Sequence, residues 1–152
     1  MSETFLSESP EATLTWATRL GAGLKPPLVI ALCGQLGTGK TLVAKGIAAG
    51  LGVREAVTSP TFILINEYEL PDGNRLYHVD CYRLRSEQTG EAVAAVKALG
   101  LEELFDRGIV LIEWADAILP LLPAERIDIT LADAGPGRRQ ITLNDYRRSP
   151  AG

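Results

Sequence analysis

The sequence is poor in the side chains that build disulfides and metal clusters: its 152 residues include two cysteines and one histidine. Cys33 and Cys81 show no paired spacing, which argues against a zinc site or a structural disulfide and leaves buried free thiols as the expectation. With His78 as the sole histidine, a histidine-rich metal site is excluded. Long apolar runs are also missing. The longest, Leu28 to Cys33, has the length of a strand and falls far short of the roughly 20 residues that span a bilayer. There is no basic surplus either, because fifteen Lys and Arg face nineteen Asp and Glu for a net charge of −4. Such a chain has no global attraction for nucleic acid. Arg138, Arg139, Arg147 and Arg148 form a local exception, expected to solvate the end of the chain. The first ten residues carry Glu3 and Glu8 but no basic residue, unlike a secretory signal, so the expected compartment is the cytoplasm.

What is present is the composition of an ordinary globular protein, 46% apolar and 22% charged. The length suits one domain over residues 1–152. No repeat, low-complexity tract or linker divides it, and residues 1–8 and 144–152 are expected to be loosely ordered ends. Ser9-Pro10-Glu11 reads as a helix start, with a capping hydroxyl, proline at the first helical position and an acid in the first turn. Leu14, Ala17 and Leu20, with Ala12 and Trp16, form its expected apolar stripe, and Gly21 and Gly23 end it. Leu28 to Cys33 follows as a strand buried on both faces. A second helix is expected from Gly39 to Leu51, with Leu42, Val43, Ile47 and Leu51 inward and Gly50 and Gly52 at its end.

Val57 to Thr61 reads as a loop because Pro60 disfavours helix at Ser59. Phe62 to Leu70 and Arg75 to Leu84 flank the turn Pro71-Asp72-Gly73-Asn74 and predict an antiparallel hairpin. Helical sequence runs from Glu87 to Leu99 and from Leu101 to Asp106 around Gly100. Ile109 to Ile112 is a second apolar strand, ending in Glu113-Trp114. Ile127 to Leu131 and Gln140 to Leu143 predict a last hairpin around residues 134–137. Together these predict an α/β fold, a single-domain mixed sheet flanked by helices. Gly34-Gln35-Leu36-Gly37-Thr38-Gly39-Lys40-Thr41, between the first apolar strand and the second helix, makes it P-loop NTPase-like.

Chemistry concentrates in Gly34-Gln35-Leu36-Gly37-Thr38-Gly39-Lys40-Thr41, which satisfies G-x-x-x-x-G-K-[ST] at every fixed position. Glycines let the backbone curl so that successive N–H groups face phosphate oxygens. The helix that follows adds the positive end of its dipole. In this pattern Lys40 reaches the β- and γ-phosphates, and the Thr41 hydroxyl takes one position on Mg²⁺, whose shell phosphates and waters complete. A strand before the loop and an amphipathic helix after it supply the context that the motif needs. The alternative, a glycine-rich structural turn, explains neither the lysine nor the hydroxyl.

Such a site needs an acid at the end of a neighbouring strand. Glu113 closes an apolar strand, at the carboxyl edge where ligands of open α/β sheets collect. Asp80 lies in an alternating strand and could act on water, on a loop, or as a cross-strand partner to an arginine such as Arg83. Asp116 reads as a cap or turn residue. No Asn-Lys-x-Asp guanine-reading motif is present, which favours adenine.

In order along the chain, the loop from Gly34 to Thr41, then Ser59-Pro60-Thr61-Phe62, His78-Val79-Asp80-Cys81-Tyr82-Arg83-Leu84 and Ile112-Glu113-Trp114-Ala115-Asp116 resemble the TsaE (YjeE-type) ATPase family, across roughly Ser9 to Leu143. That family serves bacterial synthesis of threonylcarbamoyladenosine in tRNA. The resemblance implies that the loop binds ATP, with Thr41 and Glu113 as Mg²⁺ ligands. It further implies that Ser59 to Thr61 sense the γ-phosphate, Asp80 is needed for hydrolysis, Trp114 sits near the nucleotide and Glu11 near the adenine. Lys40, Asp80 and Glu113 are then the catalytic set. Expected partners are TsaD and TsaB type subunits, with tRNA reached through their complex and no membrane involved. Gln35, Thr38 and Cys81 depart from the family pattern, as does a longer helical stretch from Ser86 to Leu99. Slow ATP hydrolysis that resets the complex is the implied activity. A small-molecule kinase and a non-catalytic, nucleotide-gated binding module are the competing readings. The kinase lacks support because no insertion reads as an arginine-bearing lid or acceptor pocket.

Overall fold

The computed structural model describes residues 2–35, 37–57 and 65–147. Its strands are β1 (Ser2–Ser7), β2 (Leu28–Gly34), β3 (Ile65–Glu69), β4 (Arg75–Asp80), β5 (Ile109–Glu113), β6 (Ile127–Asp133) and β7 (Arg139–Asp145). The helices are α1 (Pro10–Ala22), α2 (Lys40–Leu51), α3 (Thr89–Ala98) and α4 (Leu101–Leu104), with 3₁₀ segments at Tyr82–Leu84 and Ala115–Leu121. The strands form one sheet ordered β1-β7-β6-β2-β5-β4-β3. β6, β2, β5 and β4 run parallel to one another, and β3, β7 and β1 add antiparallel margins. The expected mixed α/β sheet is therefore present, with β2 at its centre. Among the described residues no helix is long and apolar enough to cross a membrane.

Alternation along the central strands sorts their side chains to two faces. Leu28, Ile30, Leu32, Ile109 and Leu111 join Ala17 of α1 and Val43, Ala44, Ile47 and Ala48 of α2. Val29, Ala31, Val110 and Ile112 join Ala92 and Val96 of α3, Leu101 of α4, and Ala115 and Ile118. Each large aliphatic side chain so buried contributes about 1.5–3 kcal/mol. Continuous apolar sequence in β2 and β5 follows directly, because both faces of the sheet are covered.

Several expectations change. The opening residues are not a loose end: Ser2 to Ser7 form β1, paired antiparallel with Asn144 to Arg139. Ser7 is buried, its hydroxyl bonded to the Ser9 carbonyl and the Thr13 hydroxyl, which ties the strand to the helix after it. The strand carries too little apolar sequence to announce itself and exists because β7 offers an open edge.

Helix α1 begins as expected, with Ser9 Oγ accepting from the Ala12 amide, and Ala17, Trp16 and Leu20 of the expected stripe meet the core, but its other buried residues are Thr13 and Gly21 in place of Leu14. Leu14 stays 39% exposed. The reason lies in α2, whose Gly46 and Gly50 admit the α1 backbone. A Cβ on Gly46 would fall 2.5 Å from Ala17 Cβ, and one on Gly50 would fall 2.1 Å from the Thr18 carbonyl oxygen. Small residues on both helices bring the backbones together, so Leu14 turns outward while Trp16 and Leu20 pack, partly buried, at the margin of the core. Gly50 therefore serves packing, and Gly52, at φ 95°, is the residue that ends α2. The hairpin forms as expected where Ile65–Glu69 pairs with β4, the rest of the expected loop and strand, residues 58–64, lying outside the described residues, and β4 stops at Asp80, with Tyr82–Leu84 a 3₁₀ turn.

Candidate nucleotide site

The loop leaves β2 at the carboxyl edge of the sheet, between parallel neighbours β5 and β6. Gly34 has φ 146°, and a Cβ there would lie 2.6 Å from the Leu131 carbonyl oxygen, so only glycine passes β6 at this point. Gly37 and Gly39 also have positive φ. The Thr38 hydroxyl donates to the Gln35 carbonyl at 2.6 Å, drawing the loop into a closed curl. Gly39 offers α2 no side-chain cap, which leaves the first-turn amides facing the loop, as an anion site requires.

Lys40 is 5% exposed. Its ammonium donates to the carbonyls of Gly34 at 2.6 Å and Gln35 at 2.8 Å and lies 3.8 Å from the centre of the Trp114 ring. Burial lowers its pKa, opposed by the charges of Glu113 and Asp116. The lysine thus satisfies itself on its own loop. Trp114 is held for this contact by a backbone in the left-handed region, φ 57° and ψ 40°, an arrangement that costs a non-glycine residue about 1–2 kcal/mol. Its ring meets Tyr82 edge-on at 5.4 Å, and the Arg85 guanidinium lies over the Tyr82 ring at 3.7 Å and 6.0 Å from the centre of Trp114.

Both candidate acids arrive on adjacent strands. Asp80 and Glu113 are register partners at the ends of β4 and β5. Glu113 is 2% exposed. Its Oε1 accepts from the Thr41 hydroxyl at 3.1 Å, and its Oε2 lies 2.6 Å from His78 Nε2. Asp80 Oδ1 accepts from the Tyr82 amide at 2.9 Å. Burial pushes the Asp80 carboxyl above its ordinary pKa, and the Glu113 charge adds to the rise, while the Tyr82 hydrogen bond opposes it. Gly37, Gly39, Lys40, Thr41, Asp80, Tyr82, Glu113 and Trp114 line one cleft of about 380 Å³. The residues fit magnesium: the Thr41 hydroxyl and Glu113 carboxylate are hard oxygen donors side by side. Among the described residues no cluster of three acids, histidines or cysteines competes as a metal site, so phosphate and water would supply the rest of an octahedral shell.

A family model described as "Threonylcarbamoyl adenosine biosynthesis protein TsaE" matches residues 7–141. The chain belongs to the TsaE family. A Bacillus subtilis relative named tRNA threonylcarbamoyladenosine biosynthesis protein TsaE is 43% identical over 139 residues, covering 89% of this chain and 80% of its own. A Treponema pallidum TsaE of the same full name is 36% identical, covering 91% of this chain and 97% of its own. The crystal structure of Bacillus subtilis YdiB superposes with a TM-score of 0.75 at 37% identity, over 96% of this chain and 86% of that one.

Of the residues singled out for this TsaE chain, Gly37, Gly39, Lys40, Thr41, Asp80, Glu113 and Trp114 converge on the cleft, with Gly34, Gln35 and Thr38 shaping its floor. Leu36, Ser59 and Thr61 lie outside the described residues. Glu11 is exposed on the first turn of α1. A second cavity, of about 180 Å³, opens beside that turn between Ser9, Pro10 and Thr13 on one side and Thr38, Gly39, Leu42, Gly137 and Arg139 on the other. Glu11 is not in its lining. Asp80 pairs with a backbone amide two residues on, that of Tyr82.

Sequence reasoning missed three residues. In the sequence His78 stands within the family signature and has no role of its own, yet it lies two residues before Asp80 in an alternating strand, a spacing that puts both on one face. Tyr82 likewise stands in that signature without an assigned role, and the structure puts it in the cleft lining. Arg139 was assigned to the solvated chain end, but β7 returns beside the loop and Arg139 donates to the Gly37 carbonyl at 3.1 Å.

Proposed function

We propose that this chain binds ATP with Mg²⁺ in the 380 Å³ cleft and hydrolyses it slowly, in the cytoplasm, in support of threonylcarbamoyl transfer to tRNA adenosine. Its membership of the TsaE family and the printed names of its relatives support the pathway. The observation that carries the nucleotide reading is the convergence of Lys40, Thr41, Asp80 and Glu113 at the mouth of an anion-ready helix.

Nucleotide would replace the Gly34 and Gln35 carbonyls as the partner of the Lys40 ammonium, exchanging two neutral acceptors for charged phosphate oxygens. Thr41 and Glu113 would hold magnesium, which neutralises charge on the β- and γ-phosphates. Asp80, with its raised carboxyl pKa, is suited to orient the attacking water and accept its proton, because a base works best when its pKa approaches the working pH. The segment around Ser59 and Thr61 would sense the γ-phosphate and pass the change to TsaD and TsaB type subunits, so that each cycle of hydrolysis resets that complex.

The test is capture of TsaD and TsaB type subunits with and without ATP, using wild type beside Lys40→Ala and Glu113→Ala, together with phosphate release. ATP-dependent capture that both variants lose, and slow release of free phosphate, are expected. A phosphorylated metabolite would replace this reading with a kinase, and binding without any hydrolysis in the presence of partners and tRNA would reduce it to a gated module.

A further inference from the structure

We propose that His78 is a positioning residue of the nucleotide site, holding the Glu113 carboxylate in the orientation that pairs it with Thr41. The inference rests on the ATPase reading and extends it to a side chain that does not line the cleft. His78 is fully buried in β4, between positions whose neighbours Leu76 and Leu111 belong to the aliphatic core. Nothing in that packing calls for an imidazole. Its polar atoms have one visible purpose, the 2.6 Å contact from Nε2 to Glu113 Oε2. The other oxygen of the same carboxylate accepts from Thr41 at the start of α2. Glu113 is therefore gripped at both oxygens, from behind by a strand and from in front by the phosphate loop, and its carboxylate plane cannot turn without breaking one bond.

The proton belongs on Nε2. Nδ1 has no hydrogen-bond partner among the described residues. A proton there would bury an N–H with no acceptor, at a cost of about 1–3 kcal/mol, whereas a bare lone pair costs less. With Nε2–H donated to Glu113, the histidine acts as a fixed second-layer donor of the kind that orients metal-binding side chains.

Without that donor, Oε2 loses the hydrogen bond from His78, and the Lys40 ammonium, which already feels the Glu113 charge, becomes a source of compensation. A Glu113 turned toward Lys40 would leave Thr41 without its carboxylate and would engage the lysine intended for phosphate. His78 thus keeps the metal side and the lysine side of the cleft separate.

The experiment compares wild type with His78→Leu, which fills the space without a donor, and His78→Gln, whose amide can reach Glu113. Crystal structures of the nucleotide-free proteins read the Glu113 orientation, and calorimetry reads ADP affinity with magnesium and with EDTA. In H78L the Glu113–Thr41 pairing is expected to be lost. Its ADP affinity in EDTA should fall by less than its affinity with magnesium, so that the enhancement by magnesium drops by about tenfold or more. H78Q should recover most of it. If H78L does not fold, His78→Asn, with an amide too short to reach Glu113, takes its place against H78Q. An unmoved Glu113, an unchanged magnesium enhancement, or an equal loss with and without magnesium would overturn the assignment of His78. Wild-type protein that takes up no nucleotide would overturn the ATPase reading itself.

Discussion

Replacing Gly50 with alanine tests the account of how α1 and α2 meet. In most exposed helix interiors this change stabilises, because alanine gains up to about 1 kcal/mol over glycine in helical preference. Here the new methyl would lie 2.1 Å from the Thr18 carbonyl oxygen and 2.7 Å from the Ala22 amide nitrogen, where ordinary contact begins at 3.4 Å. Both obstacles are backbone, so no rotamer change relieves them, and α1 must move away from α2. That movement would open the layer in which Ala17 and Ile47 are fully buried. Overpacking of this kind costs about 1–3 kcal/mol and at times more. Because both obstacles are backbone the upper end applies, and after the helical gain Gly50→Ala should destabilise by roughly 2 kcal/mol, lowering the melting temperature by about 4–8 °C for a domain of this size. Gly90→Ala in α3 is the control, since its Cβ would meet nothing within 4 Å, and it should be neutral or raise the melting temperature slightly. Thermal unfolding followed by circular dichroism reads both. A Gly50→Ala protein as stable as the Gly90→Ala control would refute the claim that backbone proximity makes glycine necessary there.

Arg139→Ala removes the clasp on the Gly37 carbonyl and should weaken nucleotide binding by about three- to tenfold, the worth of roughly 1 kcal/mol of hydrogen bonding. Arg138→Ala, which loses only an exposed 3.9 Å ion pair with Glu8, should leave calorimetric affinity unchanged. Asp80→Asn should abolish hydrolysis yet raise stability at neutral pH. The fold raises the Asp80 pKa, so wild type loses stability as pH climbs from the unfolded value through the folded one, and the variant has no charge to bury. Urea denaturation at acid and neutral pH should therefore show the gap between them widening with pH. Burial pushes the Cys33 thiol to about 11 and the Cys81 thiol to about 12, so at pH 8 on the order of one Cys33 in a thousand is thiolate. Iodoacetamide should label the native protein far more slowly than the urea-unfolded chain, and equal rates would refute the burial.

Local chemistry carried much of this protein in legible form. Gly34 to Thr41 announces an anion-binding turn because its spacing is the mechanism, whatever surrounds it. Ser9-Pro10 marks a helix start, Gly100 divides two helices, and the apolar runs of β2 and β5 identify strands covered on both faces. Those signals need only neighbours in the chain. The sheet order, by contrast, depends on long-range pairing. It brings Asp80 beside Glu113, turns His78 onto the back of that carboxylate, and returns Arg139 to the loop across 102 positions of sequence. The burial of Thr13 in place of Leu14 and the existence of β1 were decided in the same way, by the glycines of a facing helix and the open edge of a late strand. Periodicity tells which side chains share a face. Only the packed structure decides which neighbour that face meets.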